Sequence, residues 1–129
     1  MQPSKYDLVV PCGASLDADT VQFTWLVGGA PVNLTGYSAS MRGASAAGEL
    51  FNWNTTNGKL MLGGSAGTIT PAALPADTSA LWSAGLPPAM PANGVPTVKA
   101  ATWAVELTDA NGKVTRLLQG DLLLIPEVL

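Results

Sequence analysis

The sequence predicts an all-β domain, a β-sandwich of immunoglobulin-like or jelly-roll-like type. Apolar and polar residues alternate in several short segments, which is the pattern of half-buried strands. Asn-Gly and Gly-Gly pairs, which favour tight turns, separate these segments. With 129 residues, of which 47% are hydrophobic, the chain is expected to form one domain over residues 1–129.

Four segments carry the alternation most clearly, and we expect their apolar residues to face the core. These residues are Tyr6, Leu8 and Val10; then Val21, Phe23, Trp25 and Val27; then Tyr37, Ala39 and Met41; and finally Ala101, Trp103, Val105 and Leu107. A longer strand region is predicted over residues 113–125, with a bulge or bend at Gly120.

The turn residues match these strands. Asn111-Gly112 predicts a hairpin with a type I′ turn, because both residues tolerate the positive φ angles of that turn. Asn57-Gly58 is a second signal of this kind. Gly28-Gly29 punctuates the connection that follows Trp25, and the glycines of the segment Gly63–Gly67 predict another tight turn.

One short helix is expected near residues 77–84. Asp77 or Thr78 is a suitable cap, and Pro75 stands just before the predicted start. We expect Leu81 and Trp82 to face inward. The helix cannot run far, because glycine and two consecutive prolines follow it.

Residues 86–97 predict an extended, proline-rich loop, since they contain four prolines. Pro87, Pro88, Met90 and Val95 would make it a stiff apolar contact arm, and a stiff arm loses little entropy when it docks. The alternative is a simple linker between the helix and the next strand. The N-terminal residues Met1, Gln2 and Pro3 form a second candidate arm, and the remaining interface candidate is the tryptophan discussed below.

The composition argues against catalysis and against cofactor or metal binding. The chain has no histidine, which is the commonest general base and metal ligand, and its single cysteine, Cys12, cannot form an internal disulfide. Charged residues make up only 12% of the chain, which indicates either a surface covered by other subunits or a simple alanine and glycine bias. With a net charge of −3 and no basic cluster, direct nucleic-acid binding is not expected.

The acidic residues offer no clear catalytic pair. Asp17 and Asp19 are close in sequence but are better explained as turn formers, and Glu106 is expected to be exposed on the polar face of a strand. No apolar segment is long enough to span a bilayer, and no basic-then-apolar start predicts a secretory signal. We therefore expect the protein to be made and folded in a cytoplasm, without a membrane partner.

The four tryptophans receive different predictions. Trp25 and Trp103 lie on apolar strand faces and are expected in the core, and Trp82 should anchor the short helix on the sheet. Trp53 lies in a polar, turn-rich stretch and is the tryptophan that we expect to be exposed for contact. An exposed Trp53 would also be the basis of a rival hypothesis, a carbohydrate-binding module.

Several stretches together resemble a group of small bacteriophage structural domains. The resemblance covers most of the chain except about residues 71–99, and it departs from the group in the proline-rich loop and in Trp103-Ala104, where a Tyr-Asp pair is commoner. The similar segments are Tyr6 to Val10 with Gly13, Phe23-Thr24-Trp25, Pro31 to Tyr37, Met41-Arg42, Trp103 to Leu107, Asn111-Gly112, Arg116 to Gly120, and Pro126-Glu127-Val128.

The group includes the N-terminal domains of upper baseplate proteins and other accessory proteins of the virion. The resemblance implies a non-enzymatic β-sandwich that packs on the major capsid protein or on tail and baseplate subunits. We expect a homo-oligomer located in the virion and assembled in the bacterial host cytoplasm. Decoration or cementing of the capsid is the leading hypothesis, and a tail or baseplate subunit is the alternative.

Overall fold

Strands dominate the molecule, as the alternating pattern predicts. The computed structural model describes residues 4–45, 48–82 and 99–125. Within these residues the strands are β1 (Ser4–Lys5), β2 (Leu8–Pro11), β3 (Phe23–Thr24), β4 (Leu26–Val27), β5 (Ala30–Pro31), β6 (Ser38–Ser45), β7 (Gly48–Asn54), β8 (Leu60–Leu62), β9 (Thr68–Pro71), β10 (Lys99–Thr108) and β11 (Val114–Ile125). A 3₁₀ turn (Gly64–Ala66) and one helix, α1 (Pro75–Trp82), complete the described elements.

The strands form a main sheet, a smaller sheet and a hairpin. The main sheet has the order β1-β11-β10-β6-β7, with β2 also paired to β11. β1 and β2 both run parallel to β11, whereas the β10–β11, β10–β6 and β6–β7 pairs are antiparallel. The smaller sheet has the order β3-β9-β8, and β4 pairs with β5. The all-β, sandwich-like fold is thus confirmed.

The hydrophobic core draws residues from both sheets, and the alternation predicts most of it correctly. One buried cluster joins side chains of the main sheet to Leu60 and Ile69 of the smaller sheet; its main-sheet members include Leu8, Val10, Ala39, Met41, Trp103, Val105, Leu107, Leu122 and Leu124. The predictions for Tyr6 and Val27 are wrong, since these side chains are 45% and 60% exposed.

The segment from residue 21 to residue 27 is not one continuous strand. β3 pairs with β9, whereas β4 turns back on β5 and pairs with it instead. The second pairing begins only two residues after β3 ends. From Leu26 onwards in this segment, the apolar side chains therefore no longer face the core. Val27 therefore lies on a hairpin outside the smaller sheet.

Gly120 lies beside the break between β1 and β2. A Cβ atom at this position would come within 2.2 Å of the Tyr6 carbonyl oxygen, so only glycine lets the two segments approach this closely. Of the predicted bulge or bend at Gly120, the bulge is wrong, since Gly120 pairs with Trp103 without a register shift. The irregularity lies where Val105 pairs with Leu118 and Glu106 with Arg116, which leaves Leu117 as the additional residue.

Three glycine turns occur where they are predicted, with differences in detail. Asn111-Gly112 lies in the β10–β11 hairpin, but the Gly112 N–H bonds to the Asp109 carbonyl. The central turn residues are therefore Ala110 and Asn111, one position earlier than predicted. Gly28 and Gly29, both with positive φ, form the two-residue turn of the β4–β5 hairpin. The Asn57-Gly58 turn joins strands of different sheets, so the hairpin predicted there is wrong.

Helix α1 begins at Pro75, two residues before the predicted start. Leu74 is the cap residue, and its N–H donates to Asp77 Oδ2 at 2.8 Å. Proline is favourable in the first helical turn, where no N–H partner is required. The predicted helix residues 83 and 84 and the proline-rich loop, residues 86–97, lie outside the described residues, as does the side chain of Trp82.

Candidate interaction surfaces

The outward side of the main sheet, which we call the outer face, carries charged residues in cross-strand rows. The acidic row contains Glu49, Ala44, Thr102 and Asp121. The basic row contains Asn52, Arg42, Ala104, Gln119 and Lys5. A third row contains Asn54, Ser40, Glu106 and Arg116. A depression of about 590 Å³ spans the acidic and basic rows, and small residues lie at its centre.

Glu106 bridges both arginines of the chain. Arg42 Nη2 donates to Glu106 Oε1 at 2.8 Å, and Arg116 donates to Oε2 from Nη2 at 3.0 Å and from Nε at 3.2 Å. The Glu106 side chain is 19% exposed, so the prediction of an exposed carboxylate is wrong. Arg42 and Arg116, each close to half exposed, cover it from the two neighbouring strands.

The electrostatics of Glu106 combine opposing effects. Burial by itself raises the pKa of Glu106. The hydrogen bonds and charge of Arg116, followed by those of Arg42, lower this pKa by a larger amount. The net pKa of the carboxyl group lies below its ordinary value. Glu106 is therefore ionised at neutral pH and holds the two guanidinium groups in place on the outer face.

Replacing Glu106 with glutamine is expected to lower the free energy of unfolding by about 1 kcal/mol at pH 7. Because the folded-state pKa is lowered, this stabilisation is complete above the unfolded-state value near 4.3 and is lost as the pH falls through the folded-state value. Urea unfolding of both proteins from pH 7 to pH 2.5 measures the difference. Glu49→Gln is the control, and a difference that persists unchanged at pH 2.5 would contradict the electrostatic explanation.

The β4–β5 hairpin presents apolar side chains to solvent. All six residues from Leu26 to Pro31 are exposed, and Leu26 and Val27 have exposed fractions of 52% and 60%. No charged residue occurs between Asp19 and Arg42 in the sequence. Exposed apolar side chains that cluster on one projecting element are typical of protein–protein contact sites. We call residues Leu26–Pro31 the apolar hairpin.

A small cavity adjoins the base of the apolar hairpin. It has a volume of about 350 Å³, and Trp25, Tyr37 and Val114 are among its lining residues. The rings of Trp25 and Tyr37 pack edge to face with centroids 6.2 Å apart. Trp25 is partly buried against the core, and its Nε1 atom is buried without a hydrogen-bond partner. Val114 is 57% exposed, but the charged residues Asp109, Lys113 and Arg116 also line the cavity, so its lining is mixed.

The structure places only one of the sequence-predicted interface residues among the described residues. Trp53 is 5% exposed, so its predicted exposure is wrong. It faces the core from β7 and packs on the Phe51 ring with centroids 4.1 Å apart. The other candidates, Met1, Gln2, Pro3, Pro87, Pro88, Met90 and Val95, lie outside the described residues.

The other predicted tryptophans differ in burial. Trp103 is buried as predicted, and its Nε1 donates to the Tyr6 carbonyl oxygen at 2.7 Å. The Phe23 ring stacks on the Trp103 indole at 5.7 Å, and the Tyr6 ring contacts both edge to face. Trp25 is only partly buried. Trp103 thus links the first strands to the centre of the main sheet.

A side chain covers part of the β7 edge of the main sheet. The Asn57 amide group donates to the Asn52 carbonyl oxygen at 2.9 Å and accepts from the Asn54 N–H at 3.0 Å. These are backbone groups of β7, the last strand of the sheet order. Because Asn57 occupies them, these two groups are not available to an added strand. Strand addition is therefore disfavoured at the Asn52–Asn54 end of β7.

Two further acidic residues, Asp17 and Asp77, serve structure. Asp17 Oδ1 accepts from the Asp19 N–H and from the Thr20 hydroxyl, so the prediction of a turn former is confirmed for Asp17. Asp77 accepts a 2.8 Å bond from Lys59 Nζ and another from the Leu74 N–H. The Lys59 bond, followed by the Leu74 bond, lowers the pKa of Asp77, and burial opposes this shift. Across residues 4–45, 48–82 and 99–125, His, Cys, Asp and Glu residues form no group of three that could hold a metal ion.

No protein-family model matches the chain, and no curated protein matches it either. Among the residues that the structure describes, no helix is long and apolar enough to cross a membrane.

Proposed function

We propose that the chain is an accessory structural subunit of a bacteriophage virion, which decorates or cements the capsid by packing on other subunits. The observation that carries the proposal of a contact role is the apolar hairpin, whose exposed side chains project from a sandwich-like fold. The virion location is drawn from the sequence resemblance. A tail or baseplate subunit is the alternative, and the same hairpin would serve it.

The carbohydrate-binding alternative loses its main residue. This hypothesis requires an exposed, planar aromatic platform with Trp53 as its candidate, but the Trp53 side chain lies in the core. The Arg42–Glu106–Arg116 bridge is an ion-pair network that supports the sheet, and it contains no nucleophile with an adjacent base. A non-enzymatic role in protein–protein contact therefore has the better support.

Counting copies in purified virions of the phage that encodes the chain tests the proposal directly. Quantitative mass spectrometry against the major capsid protein is expected to give hundreds of copies per particle for a capsid decoration protein. A few copies would favour the baseplate alternative. Absence from washed, infectious particles would contradict both roles.

Replacing Leu26 with glutamine and Val27 with threonine is expected to reduce binding to particles about tenfold, because apolar area that would be buried on docking is lost. Both positions are exposed, so the free energy of unfolding should change by less than about 0.5 kcal/mol. Binding to particles that lack the protein is measured by co-sedimentation. Met61→Gln is the matched control, since Met61 is also 60% exposed but lies on β8.

Equal reductions for the hairpin variant and the Met61→Gln control would show that the hairpin is not a specific contact. Unchanged binding of the hairpin variant would show that another surface makes the contact. In either case the copy-number measurement still decides whether the chain belongs to the virion.

A further inference from the structure

We infer that the outer face of the main sheet is a self-association surface, on which a second copy of this chain docks face to face. The observation behind this inference is the order of the charged rows. The acidic row, with Glu49 and Asp121, lies directly beside the basic row, with Lys5 and Arg42. The inference concerns the purified chain and does not depend on the particle role.

The two rows have opposite charge and similar length. Glu49 and Asp121 lie on β7 and β11, and Arg42 and Lys5 lie on β6 and β1, so each row spans most of the sheet. Neighbouring rows on one face of a sheet are about 7 Å apart, since every second residue along a strand points the same way. The outer face therefore carries two parallel bands of opposite sign.

This arrangement is self-complementary under two-fold symmetry. A two-fold axis that lies in the plane of the interface, along the boundary between the rows, places the acidic row of one copy over the basic row of the other. The same rotation places the basic row of the first copy over the acidic row of the second. Two-fold contacts between identical chains require this kind of reciprocal matching.

The charged groups are free to make such contacts. Lys5, Arg42, Glu49 and Asp121 are all exposed, and the three ion pairs among the described residues include only Arg42 of these four. Arg42 uses a single Nη2 donor on Glu106, which leaves other guanidinium N–H groups available. Glu106 therefore fixes Arg42 without exhausting its donors.

The shape of the face suits long basic side chains. Ala44, Thr102 and Ala104 occupy the middle of the depression of about 590 Å³. Because these side chains are small, the Arg42 and Lys5 side chains of the second copy have room to reach the acidic row. Larger residues at the three positions would hold the two sheets apart.

The size of the face predicts weak association. The acidic and basic rows span five strands and cover roughly 20 Å by 14 Å, or about 280 Å² on each copy, from ordinary strand and row spacings. Interfaces of this size belong to the weak, transient class. We expect a dissociation constant of about 100 μM at low salt, and dissociation at high salt because exposed charges are screened.

Charge reversal in pairs tests the inference in sedimentation velocity experiments over a concentration series. One variant carries Glu49→Lys and Asp121→Lys, and the other carries Lys5→Glu and Arg42→Glu. Each variant alone is expected to remain monomeric, since its two rows have the same sign. An equimolar mixture of the two is expected to form a one-to-one dimer that is tighter than the wild-type dimer.

The control is Asp19→Lys with Lys113→Glu. It reverses two exposed charges that lie outside the rows and leaves the net charge of the chain unchanged. This control should dimerise like the wild type. Circular dichroism shows whether the charge-reversed variants fold. If they do not, two neutral variants are used instead: Glu49→Gln with Asp121→Asn, and Lys5→Gln with Arg42→Gln. Each neutral variant is expected to weaken dimerisation at least threefold.

Monomeric wild-type protein up to about 1 mM at low salt would overturn the inference, since that limit excludes even the weak class of interface. Dimerisation that survives both charge reversals would also overturn it, because the contact would then lie elsewhere. Neither result affects the copy number in virions. Evidence against self-association through the outer face is therefore separate from evidence against the role as a virion subunit.

Discussion

Replacing Gly120 with alanine is expected to destabilise the fold by about 3 kcal/mol, which is at the upper end for inserting a methyl group into a packed site. The new Cβ atom would lie 2.2 Å from the Tyr6 carbonyl oxygen and 2.7 Å from the Tyr6 carbonyl carbon. Backbone atoms cannot rotate away as a side-chain end can. The segment between β1 and β2 must therefore shift, and the 2.7 Å bond from Trp103 Nε1 to the Tyr6 oxygen is lost or lengthened.

Gly43→Ala is the matched comparison, because Gly43 and Gly120 both pair with Trp103 from neighbouring strands. A Cβ atom at Gly43 would also be too close to its neighbours, but its nearest contacts are ring atoms of Phe51, which can move. Urea unfolding should show a clearly larger loss for Gly120→Ala. An equal or smaller loss would mean that the β1–β2 segment yields easily and that the close approach is not important for stability.

Thr78→Val is expected to lower the free energy of unfolding by about 2 kcal/mol, although the two side chains have nearly the same shape. Thr78 is fully buried, and its hydroxyl oxygen accepts from the Gly13 N–H at 3.0 Å. The hydroxyl group donates to the Ala14 carbonyl oxygen at 2.8 Å, and the Pro75 carbonyl oxygen is a second acceptor at 3.1 Å. Valine removes all of these contacts and leaves the Gly13 N–H without its Thr78 partner, so the hydrogen bonds between Thr78 and the loop after β2 are lost.

Thr78→Ser separates the hydrogen bonds from the packing. Serine keeps the hydroxyl group and loses only a methyl group, so its loss should be about 1 kcal/mol. Thermal and urea unfolding of both variants measure the order. A serine variant that is less stable than the valine variant would show that packing of the methyl group, and not the link to the loop, is the main contribution of Thr78.

The sequence predicts local features of this fold well, because they depend on neighbouring residues. Alternation in β2, β6 and β10 identifies the buried side chains, and paired glycines identify the tip of the apolar hairpin. The same reasoning could have placed Trp53 correctly. Phe51 and Trp53 alternate with Asn52 and Asn54, which is a strand pattern, but the polar residues made the stretch look like a turn.

The surfaces could not be predicted in the same way, since they depend on strand order and register. Arg42 lies 64 positions from Glu106 in the sequence, and only the pairing of β6 with β10 brings them together. The parallel pairing of β1 with β11 likewise supplies Lys5 to the basic row. Alternation assigns each of these residues to a polar face, but it does not say which polar residues become neighbours.

The parallel pairing of the first strands with β11 also has a consequence for biosynthesis. Asp7 and Asp121 are 114 positions apart, yet the Asp7 carboxylate accepts a bond from the Asp121 N–H. On the ribosome, β1 and β2 must wait for β11 to emerge, while the β6–β7 hairpin can already form. Contacts this distant in sequence slow folding, typically to milliseconds or seconds. The nascent chain is therefore expected to expose apolar strand residues until translation has passed residue 125.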